Sequence, residues 1–174
     1  MLFTSIHFLV FIFCFFSIYF VIPKKNKNFL LLVSSLFFYG WWDYRFLFLL
    51  IFSIIFDFYL GIFINNSKKI NEKKKFLYIS IFLNLGVLCI FKYLDFFVES
   101  LSIGLEKINI YAFNEVVFKL ILPIGISFYT FQKLSYIFDL YNKKCKVEKD
   151  FITFATYVSL FPQLIAGPIV RARK

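Results

Sequence analysis

The stretch FLFLLIFSIIFDFYLGIFI, residues 46–64, decides the fold class of this chain, because Asp57 is the only charged residue within it. A helix needs roughly 20 predominantly apolar residues to cross a bilayer core about 30 Å thick. Comparable apolar stretches lie on both sides of this one, at residues 2–22, 29–42, 76–97 and 120–141. We therefore predict an all-α integral membrane protein with about five transmembrane helices, which form a single membrane domain over residues 1–174.

The composition agrees with this prediction and excludes two other classes of protein. Hydrophobic residues make up 61% of the 174 residues, and the mean hydropathy is +0.79. Soluble domains are about 45–50% apolar with glycine counted, and disordered chains contain still fewer apolar residues. The net charge of +10 comes largely from lysines clustered beside the apolar stretches, which indicates contact with a lipid bilayer and membrane topology rather than binding of nucleic acid.

The lysine clusters also predict how the chain lies in the membrane. They follow the first, third and fifth predicted spans, at residues 24–27, 68–75 and 143–149. The intervening segments 41–45 and 98–119 carry no comparable cluster. Because cytoplasmic loops carry the excess of Lys and Arg, we predict a multi-pass protein with its N-terminus outside and three basic loops in the cytoplasm.

Charged residues inside or near the predicted spans need partners. Asp57 is the deepest, and an ionisable group inside a membrane helix is a candidate functional residue, although a hydrogen bond between helices would satisfy it equally well. Asp139 lies near the end of its span and is expected to pair with Lys143 or to reach the interface. Lys92 and Asp95 are three residues apart, which favours an ion pair within one helix.

The residue types that build metal and catalytic sites are scarce in this sequence. His7 is the only histidine and is expected to be an ordinary hydrogen-bonded helix residue, and the cysteines at 14, 89 and 145 share no close spacing. These residues predict neither a metal site nor a disulfide framework. Lysines on both sides of Cys145 favour its thiolate, but an ordinary reduced thiol is the expectation. With no nucleophile-elbow, phosphate-loop or metal-helix motif, we predict no catalytic and no metal-binding residue.

The segment LPIGISFYTFQKLSYIFDLY, residues 122–141, differs from an ordinary span. Pro123 and Gly125 loosen the start of the helix, and irregular backbone at membrane depth is tolerated only where protein or a water-filled cavity covers it. The polar residues that follow at close spacing are Ser127, Tyr129, Thr130, Gln132, Ser135 and Tyr136. The segment is expected to line an internal pocket or a tight seam between helices.

The segment FATYVSLFPQLIAGPIVRARK, residues 154–174, is broken by Pro162 and by Gly167 with Pro168. A broken helix beside Gln163 and Arg171 is suited to bind an acyl carbonyl, a carboxylate or a phosphate. A re-entrant or interfacial segment over residues 151–169, in which the glutamine caps freed backbone groups, explains the pattern equally well.

These segments, together with FFYGWWDYRFLFLL at residues 37–50, resemble the membrane-bound O-acyltransferase family. The similarity is to the alginate O-acetyltransferase-like branch, which includes peptidoglycan O-acetyltransferases and D-alanyl transfer proteins. Three long motifs in the family's order are a specific signal, and the similarity extends over essentially the whole chain. It matches the N-terminal portion of a family member.

The resemblance implies a larger helical enzyme of the bacterial cytoplasmic (inner) membrane. Such an enzyme takes an acyl group, with acetyl-CoA as the expected donor, and passes it to a cell-envelope polysaccharide such as alginate or peptidoglycan. An extracytoplasmic acetyltransferase partner is expected to take part. The residues of this sequence expected to line the substrate or its tunnel are Ser127, Tyr129, Gln132, Gln163, Gly167, Pro168 and Arg171.

The family's essential histidine belongs to a segment well after PQLIAGP, and His7 does not match it. We therefore expect this chain alone to be inactive, as a truncated form or as a subunit completed by another polypeptide. Two other functions stay open on the sequence. One is a small transporter or channel subunit that uses the interrupted helices as its site, and the other is a non-catalytic assembly partner in the membrane.

Overall fold

The computed structural model describes residues 5–106 and 121–167, without the side chains of residues 95, 102–106, 165 and 166. Within this part of the chain every regular element is a helix, so the predicted all-α fold is confirmed there. A short 3₁₀ turn, Lys24–Asn26, joins the first two helices. The helices are α1 (Ile6–Val21), α2 (Lys27–Trp42), α3 (Tyr44–Asn66), α4 (Ile70–Glu106), α5 (Ile126–Tyr141), α6 (Phe151–Ser159) and α7 (Phe161–Ala166).

Among the described residues, two segments are long and apolar enough to cross a membrane by length and composition, Tyr44–Asn66 and Ile70–Leu94. They match the predicted third and fourth spans. The helices α1, α2 and α5 have 16 residues each. At a rise of 1.5 Å per residue each is about 24 Å long, which is shorter than the hydrocarbon core unless the bilayer thins locally.

Helix boundaries differ from the predicted spans where turn chemistry overrides hydropathy. The lysine-rich segment 68–75, predicted as a cytoplasmic loop, already belongs to α4 from Ile70, and α4 continues to Glu106, beyond the predicted end of the fourth span at residue 97. The fifth helix begins at Ile126 rather than at the predicted residue 120. Pro123 provides no backbone N–H, and Gly125 takes a left-handed φ of 73° as the N-cap, so the regular helix starts only after both.

Helix α3 lies at the centre of the packing, in contact with α2, α4, α5 and α6. Its inward face buries Leu50, Ile54 and Ile64 almost completely. Gly61 lets α3 approach α5 closely, because a Cβ there would lie 3.2 Å from the ring of Tyr136. The fold therefore places the middle of α3 within reach of side chains from four neighbouring helices.

Aromatic rings attach α1 to the rest of the helices. Phe11 and Phe15 of α1 meet Phe161 edge to face, with ring centroids 5.5 and 5.7 Å apart. Phe38 of α2 closes this cluster from the other side. Edge-to-face pairs of this kind add about 0.5–1.5 kcal/mol each beyond the area they bury.

The outward faces of the helices carry large apolar side chains. Phe48 and Phe52 of α3 are 70% and 67% exposed, and Phe82 of α4 is 77% exposed. Apolar patches of this extent are unfavourable in water and favourable against lipid chains. The exposed aromatic side chains and the two long apolar helices are features expected of a membrane protein.

Candidate functional site: a buried polar seam between the helices

A buried ion pair joins α3 to α5. The Lys133 Nζ lies 3.0 Å from the Asp57 Oδ2, and the two side chains are 0% and 1% exposed. Moving either charge out of water alone costs several kcal/mol, so each group needs the other to remain ionised in this place. The pair is therefore central to how α3 and α5 fit together.

Helix α4 completes the surroundings of the Asp57 carboxylate. The Ser80 hydroxyl donates a hydrogen bond of 2.6 Å to Oδ1. The Asn84 amide donates to Oδ1 and Oδ2 at 3.0 and 2.8 Å. Ser80 and Asn84 are four residues apart and so lie on the same face of α4. One carboxylate thus connects three helices.

On its other side the Lys133 ammonium lies near the aromatic ring of Tyr129. Its Nζ is 5.6 Å from the centre of the Tyr129 ring, one turn earlier on α5. No oxygen of the described residues accepts a well-directed hydrogen bond from this ammonium, so the contact with Asp57 is chiefly electrostatic. The Tyr129 hydroxyl adjoins the hydroxyl of Tyr39 on α2, although the two do not form a hydrogen bond of good geometry.

A cavity of about 50 Å³ lies beside this seam, between α3, α4 and α5. Its volume is enough for a few water molecules and far too small for an acyl donor such as a CoA thioester. The seam is therefore an organising centre of the helices rather than a substrate pocket. The polar residues that line the cavity are Ser53, Asp57, Asn84, Tyr129, Thr130 and Lys133.

A second polar contact supports the break between α6 and α7. The break falls at Leu160, and it frees the Tyr157 carbonyl and the Phe161 N–H, which would bond to each other in a continuous helix. The Gln132 amide of α5 donates to the Tyr157 carbonyl at 2.7 Å. The Phe161 N–H donates to the Ser35 hydroxyl of α2 at 3.2 Å. Side chains from two neighbouring helices thus satisfy both freed backbone groups.

The structure brings together two of the predicted tunnel-lining residues, Gln132 and Gln163. The Gln132 Nε2 lies 3.5 Å from the Gln163 Oε1, at the limit of a hydrogen bond. Gly125 sits beside the same corner, where a Cβ would run into the carbonyl oxygen of Leu164. The start of α5 and the short helix α7 are therefore in direct backbone contact.

The other predicted lining residues lie apart from this corner. Tyr129 belongs to the seam with Lys133, and Ser127 is half-buried on the first turn of α5. Gly167 is the C-cap of α7. Pro168 and Arg171 lie outside the described residues. That these positions line a tunnel stays a prediction.

Several expectations about charged and reactive side chains need correction. Asp139 is buried and forms no ion pair with Lys143 in the described structure, because α5 ends at Tyr141 and Lys143 turns away with a φ of 58°. Cys145 needs no correction, because burial raises the pKa of its thiol, in agreement with the expected ordinary thiol. His7 is exposed on α1, where it lies 6.3 Å from the Trp41 ring rather than in a hydrogen bond.

One further prediction concerns a residue that is only partly described. The side chain of Asp95 lies outside the description, so its pairing with Lys92 stays a prediction. Within residues 5–106 and 121–167, no group of three or more His, Cys, Asp or Glu side chains is arranged to hold a metal ion.

Two carboxylates outside the long apolar segments act as helix caps. Asp43 caps α3, and its pKa is lowered by the hydrogen bond from the Arg45 guanidinium. Asp150 caps α6, and its pKa is lowered by hydrogen bonds from the Thr153 hydroxyl and backbone. Both carboxylates have local roles at helix ends and take no part in the buried seam.

Lys133, Ser80 and Asn84 of the buried seam were not predicted from the sequence. A signal for Lys133 was present, because Lys133 and Asp57 each lie in the middle of a predicted span and have opposite charges. Isolated opposite charges at membrane depth are expected to pair. No comparable signal marked Ser80 and Asn84, since uncharged polar residues occur in many membrane helices without a buried charge beside them.

Relatives of the chain are longer proteins. It is 37% identical to the "Probable alginate O-acetylase AlgI" of Azotobacter vinelandii over 99% of the chain and 35% of the relative. It is 36% identical to the protein of the same name in Pseudomonas aeruginosa over 98% of the chain and 33% of the relative. It is 31% identical to the "Peptidoglycan O-acetyltransferase" of Helicobacter pylori over 92% of the chain and 36% of the relative.

No family model and no solved structure matches the chain. The chain spans about a third of the length of the curated relatives it matches. The similarity nevertheless extends over nearly all of its own residues, and by this similarity the chain belongs to the membrane-bound O-acyltransferase family.

Proposed function

We propose that this chain forms part of an O-acyltransferase that moves acetyl groups across the cytoplasmic membrane to a hydroxyl group of a cell-envelope polysaccharide. The observation that carries the proposal is its similarity, along nearly its whole length, to alginate and peptidoglycan O-acetyltransferases. In the reaction, the acceptor hydroxyl oxygen attacks the acetyl carbonyl of a thioester such as acetyl-CoA. The new ester forms, the thiol leaves, and the hydroxyl proton passes to a base.

The proposal includes the orientation of the chain in the bacterial inner membrane. Five helices cross the membrane, the N-terminus faces outward, and the lysine-rich segments face the cytoplasm. Two kinds of observation support this arrangement, namely the apolar outer faces of the helices and the alternation of lysine-rich and lysine-poor segments along the chain. A donor that enters from the cytoplasm then meets the lysine-rich side first.

The described helices are proposed to hold the acyl path of the enzyme in shape rather than to carry out the chemical step. The pair formed by Asp57 and Lys133 holds α3, α4 and α5 together, and Gln132 supports the break that precedes α7. The corner formed by Gly125, Gln132 and Gln163 shapes the wall of the acyl path. The base that accepts the hydroxyl proton comes from a part of the enzyme other than these helices, so the chain alone is expected to be inactive.

An exchange of segments tests the proposal. This chain would replace the matching third of the Azotobacter vinelandii alginate O-acetylase, and the acetyl content of alginate would be measured in cells that lack their own enzyme. We expect the chimera to restore acetylation. The same chimera carrying Gly125→Leu is expected to lose it, because the new side chain collides with the Leu164 carbonyl and breaks the corner.

A matched control separates function from folding. Gly86 of α4 has open space around it, so a chimera with Gly86→Ala is expected to acetylate normally. A second control is a chimera with the matching segment of the Pseudomonas aeruginosa relative, which tests whether the enzyme tolerates exchange of this segment. The proposal is wrong if that chimera works while the one with this chain reaches the membrane in equal amount and leaves alginate unacetylated.

A further inference from the structure

An open hollow of about 460 Å³ lies where the end of α3, the start of α4 and the loop between α5 and α6 meet. Its volume is in the range of small-molecule binding sites. Lysine side chains from two separate parts of the chain surround it, over a base that includes Leu140 and Val147. These lysines are Lys73, Lys143, Lys146 and Lys149, and we call the feature the lysine hollow.

The lysines of the hollow form no ion pair with a carboxylate of the described residues. In the described part of the chain, no carboxylate oxygen lies within 4.0 Å of any of its four ammonium groups. The two acids of the adjoining loop are engaged with backbone: Glu148 accepts hydrogen bonds from the N–H groups of residues 149 and 150, and Asp150 caps α6. Four like charges at one place repel each other unless an anion joins them.

One lysine of the hollow is held in an unfavourable backbone conformation. Lys143 has a φ of 58°, and the turn after α5 is closed by hydrogen bonds from Lys143 N–H to the Leu140 carbonyl and from Lys144 N–H to the Asp139 carbonyl. This is the Schellman arrangement, in which glycine usually occupies the left-handed position. A residue kept there against its conformational preference points to a role for its side chain.

The position of the hollow indicates what kind of anion reaches it. It lies at the end of the membrane-spanning segment Tyr44–Asn66 and at the start of Ile70–Leu94. The ends of such helices lie at the level of the lipid headgroups and the adjoining water. Lysine binds phosphate groups as a strong point charge, and basic pockets between membrane helices bind phosphate headgroups.

We propose that the lysine hollow is a binding site for phosphate groups carried by a diphosphate or a phosphate diester. Two sources have this chemistry, the headgroup of an anionic lipid and the phosphate groups of a nucleotide-type acyl donor. The binding does not depend on acetyl transfer by this chain. Its failure and the failure of the proposed function are therefore separate results.

Protection of Cys145 tests the proposal in the unmodified chain, because this half-buried thiol lines the hollow while Cys14 and Cys89 are exposed elsewhere. The full chain would be placed in nanodiscs of phosphatidylcholine and alkylated with a maleimide, with mass spectrometry at each cysteine. Pyrophosphate, desulfo-coenzyme A and added phosphatidylglycerol are the three probes. We expect at least one probe to slow alkylation of Cys145 severalfold, and to leave unchanged the rate at a cysteine placed at the exposed Lys25 of a separate control chain.

Paired variants locate the effect. The double variant Lys143→Gly and Lys146→Gln removes two charges of the hollow and relieves the left-handed strain at 143, so its fold is expected to be kept. The control is Lys24→Gln with Lys25→Gln, which removes two exposed charges elsewhere. We expect affinity for the protecting probe, measured by titration, to fall roughly tenfold or more in the hollow variant and to change little in the control.

The probes separate the two sources. Protection by pyrophosphate and desulfo-coenzyme A in the phosphatidylcholine discs supports a soluble phosphate ligand, and protection by phosphatidylglycerol alone supports a lipid headgroup. The proposal is overturned if no probe protects Cys145, or if the hollow variant and the control weaken binding equally.

Discussion

At the scale of single residues, the Asp57 carboxylate shows how a charge is kept inside a membrane protein. It accepts hydrogen bonds from Ser80 and Asn84 and lies 3.0 Å from the Lys133 ammonium. These partners come from two different helices, so the carboxylate specifies which faces of α3, α4 and α5 meet. An apolar residue of similar size would pack there without specifying which faces of the three helices meet.

The pair predicts a strong coupling between residues 57 and 133. Asp57→Asn leaves a buried ammonium, and Lys133→Met leaves a buried carboxylate. We expect each single change to lower the free energy of unfolding by about 3–5 kcal/mol, because one charge is then unpaired in a place with little water. The double variant is expected to regain most of that loss, since both charges are gone and the amide introduced at position 57 keeps hydrogen-bonding partners on α4. Unfolding in mixed micelles, followed by circular dichroism, measures all three.

Lys75→Met serves as the control for this cycle, because Lys75 is exposed on α4 and should change stability by less than about 0.5 kcal/mol. If the losses of the two single variants simply add in the double variant, the ion pair does not couple the helices and our account of the seam fails.

How far single residues can be predicted depends on whether their partners are local. Asp57 was recognised because a charge in the middle of an apolar span needs a partner, but its partner lies 76 positions away on α5. The opposite error occurred at Asp139, where a spacing of four residues predicted a pair with Lys143. That spacing places two side chains together only while the helix continues, and α5 ends before Lys143.

At the scale of elements, the junction between α6 and α7 shows how a broken helix is kept inside a packed structure. Pro162 is tolerated in the first turn of α7, where its missing N–H is not needed. The polar groups freed at Leu160 are bound by Gln132 and Ser35 from α5 and α2. The break thereby becomes a contact point for three elements.

Gln132→Leu tests this role of the glutamine. It removes the hydrogen bond that the Gln132 amide donates to the Tyr157 carbonyl, which is expected to cost about 1–3 kcal/mol and to loosen the junction. Hydrogen exchange measured by mass spectrometry should show faster exchange over residues 157–164. Gln163→Leu is the matched control, because its amide is only half-buried and lies 3.5 Å from Gln132, so a much smaller effect is expected. Equal protection in Gln132→Leu and the unmodified chain would contradict the assignment.

The sequence predicted the existence of these elements better than their ends. Pro162 and Gly167 correctly indicated an interrupted segment within residues 151–169. The start of α5 was placed about six residues too early, because hydropathy alone does not register that Pro123 and the left-handed Gly125 prevent a regular helix. The contact of Gln132 with the Tyr157 carbonyl required knowledge of which helices are neighbours, and a single sequence does not contain it.

At the scale of the whole molecule, the helices differ in how they meet the membrane. The third and fourth helices are long enough to cross it, whereas α1, α2 and α5 have 16 residues each. Short helices cross a bilayer when it thins around them or when flanking residues reach the interface. Helix α2 lies between the turns at Pro23 and Asp43. If α2 and α3 both cross the membrane, the lysine clusters at residues 24–27 and 68–75 lie on the same side of it, and if only α3 crosses they lie on opposite sides.

The orientation of α2 and α3 can be measured with single cysteines. With the native cysteines replaced by serine, a cysteine would be placed at Lys25, Tyr44, Lys69 or Lys144. A membrane-impermeant maleimide applied to intact cells is expected to label the cysteine at Tyr44, and to label the other three only after the membrane is permeabilised. The physical reason is that lysine-rich segments are retained in the cytoplasm, while the turn at Asp43 and the helix ends beside it lie outside. If the cysteines at Lys25 and Tyr44 are labelled from the same side, α2 does not cross and the five-helix arrangement is wrong.

If α2 does not cross, Lys25 and Lys69 would lie on opposite sides of the membrane, because α3 alone separates them. The lysine hollow between α3 and α4 would then have to be reconsidered together with the side from which a phosphate ligand arrives.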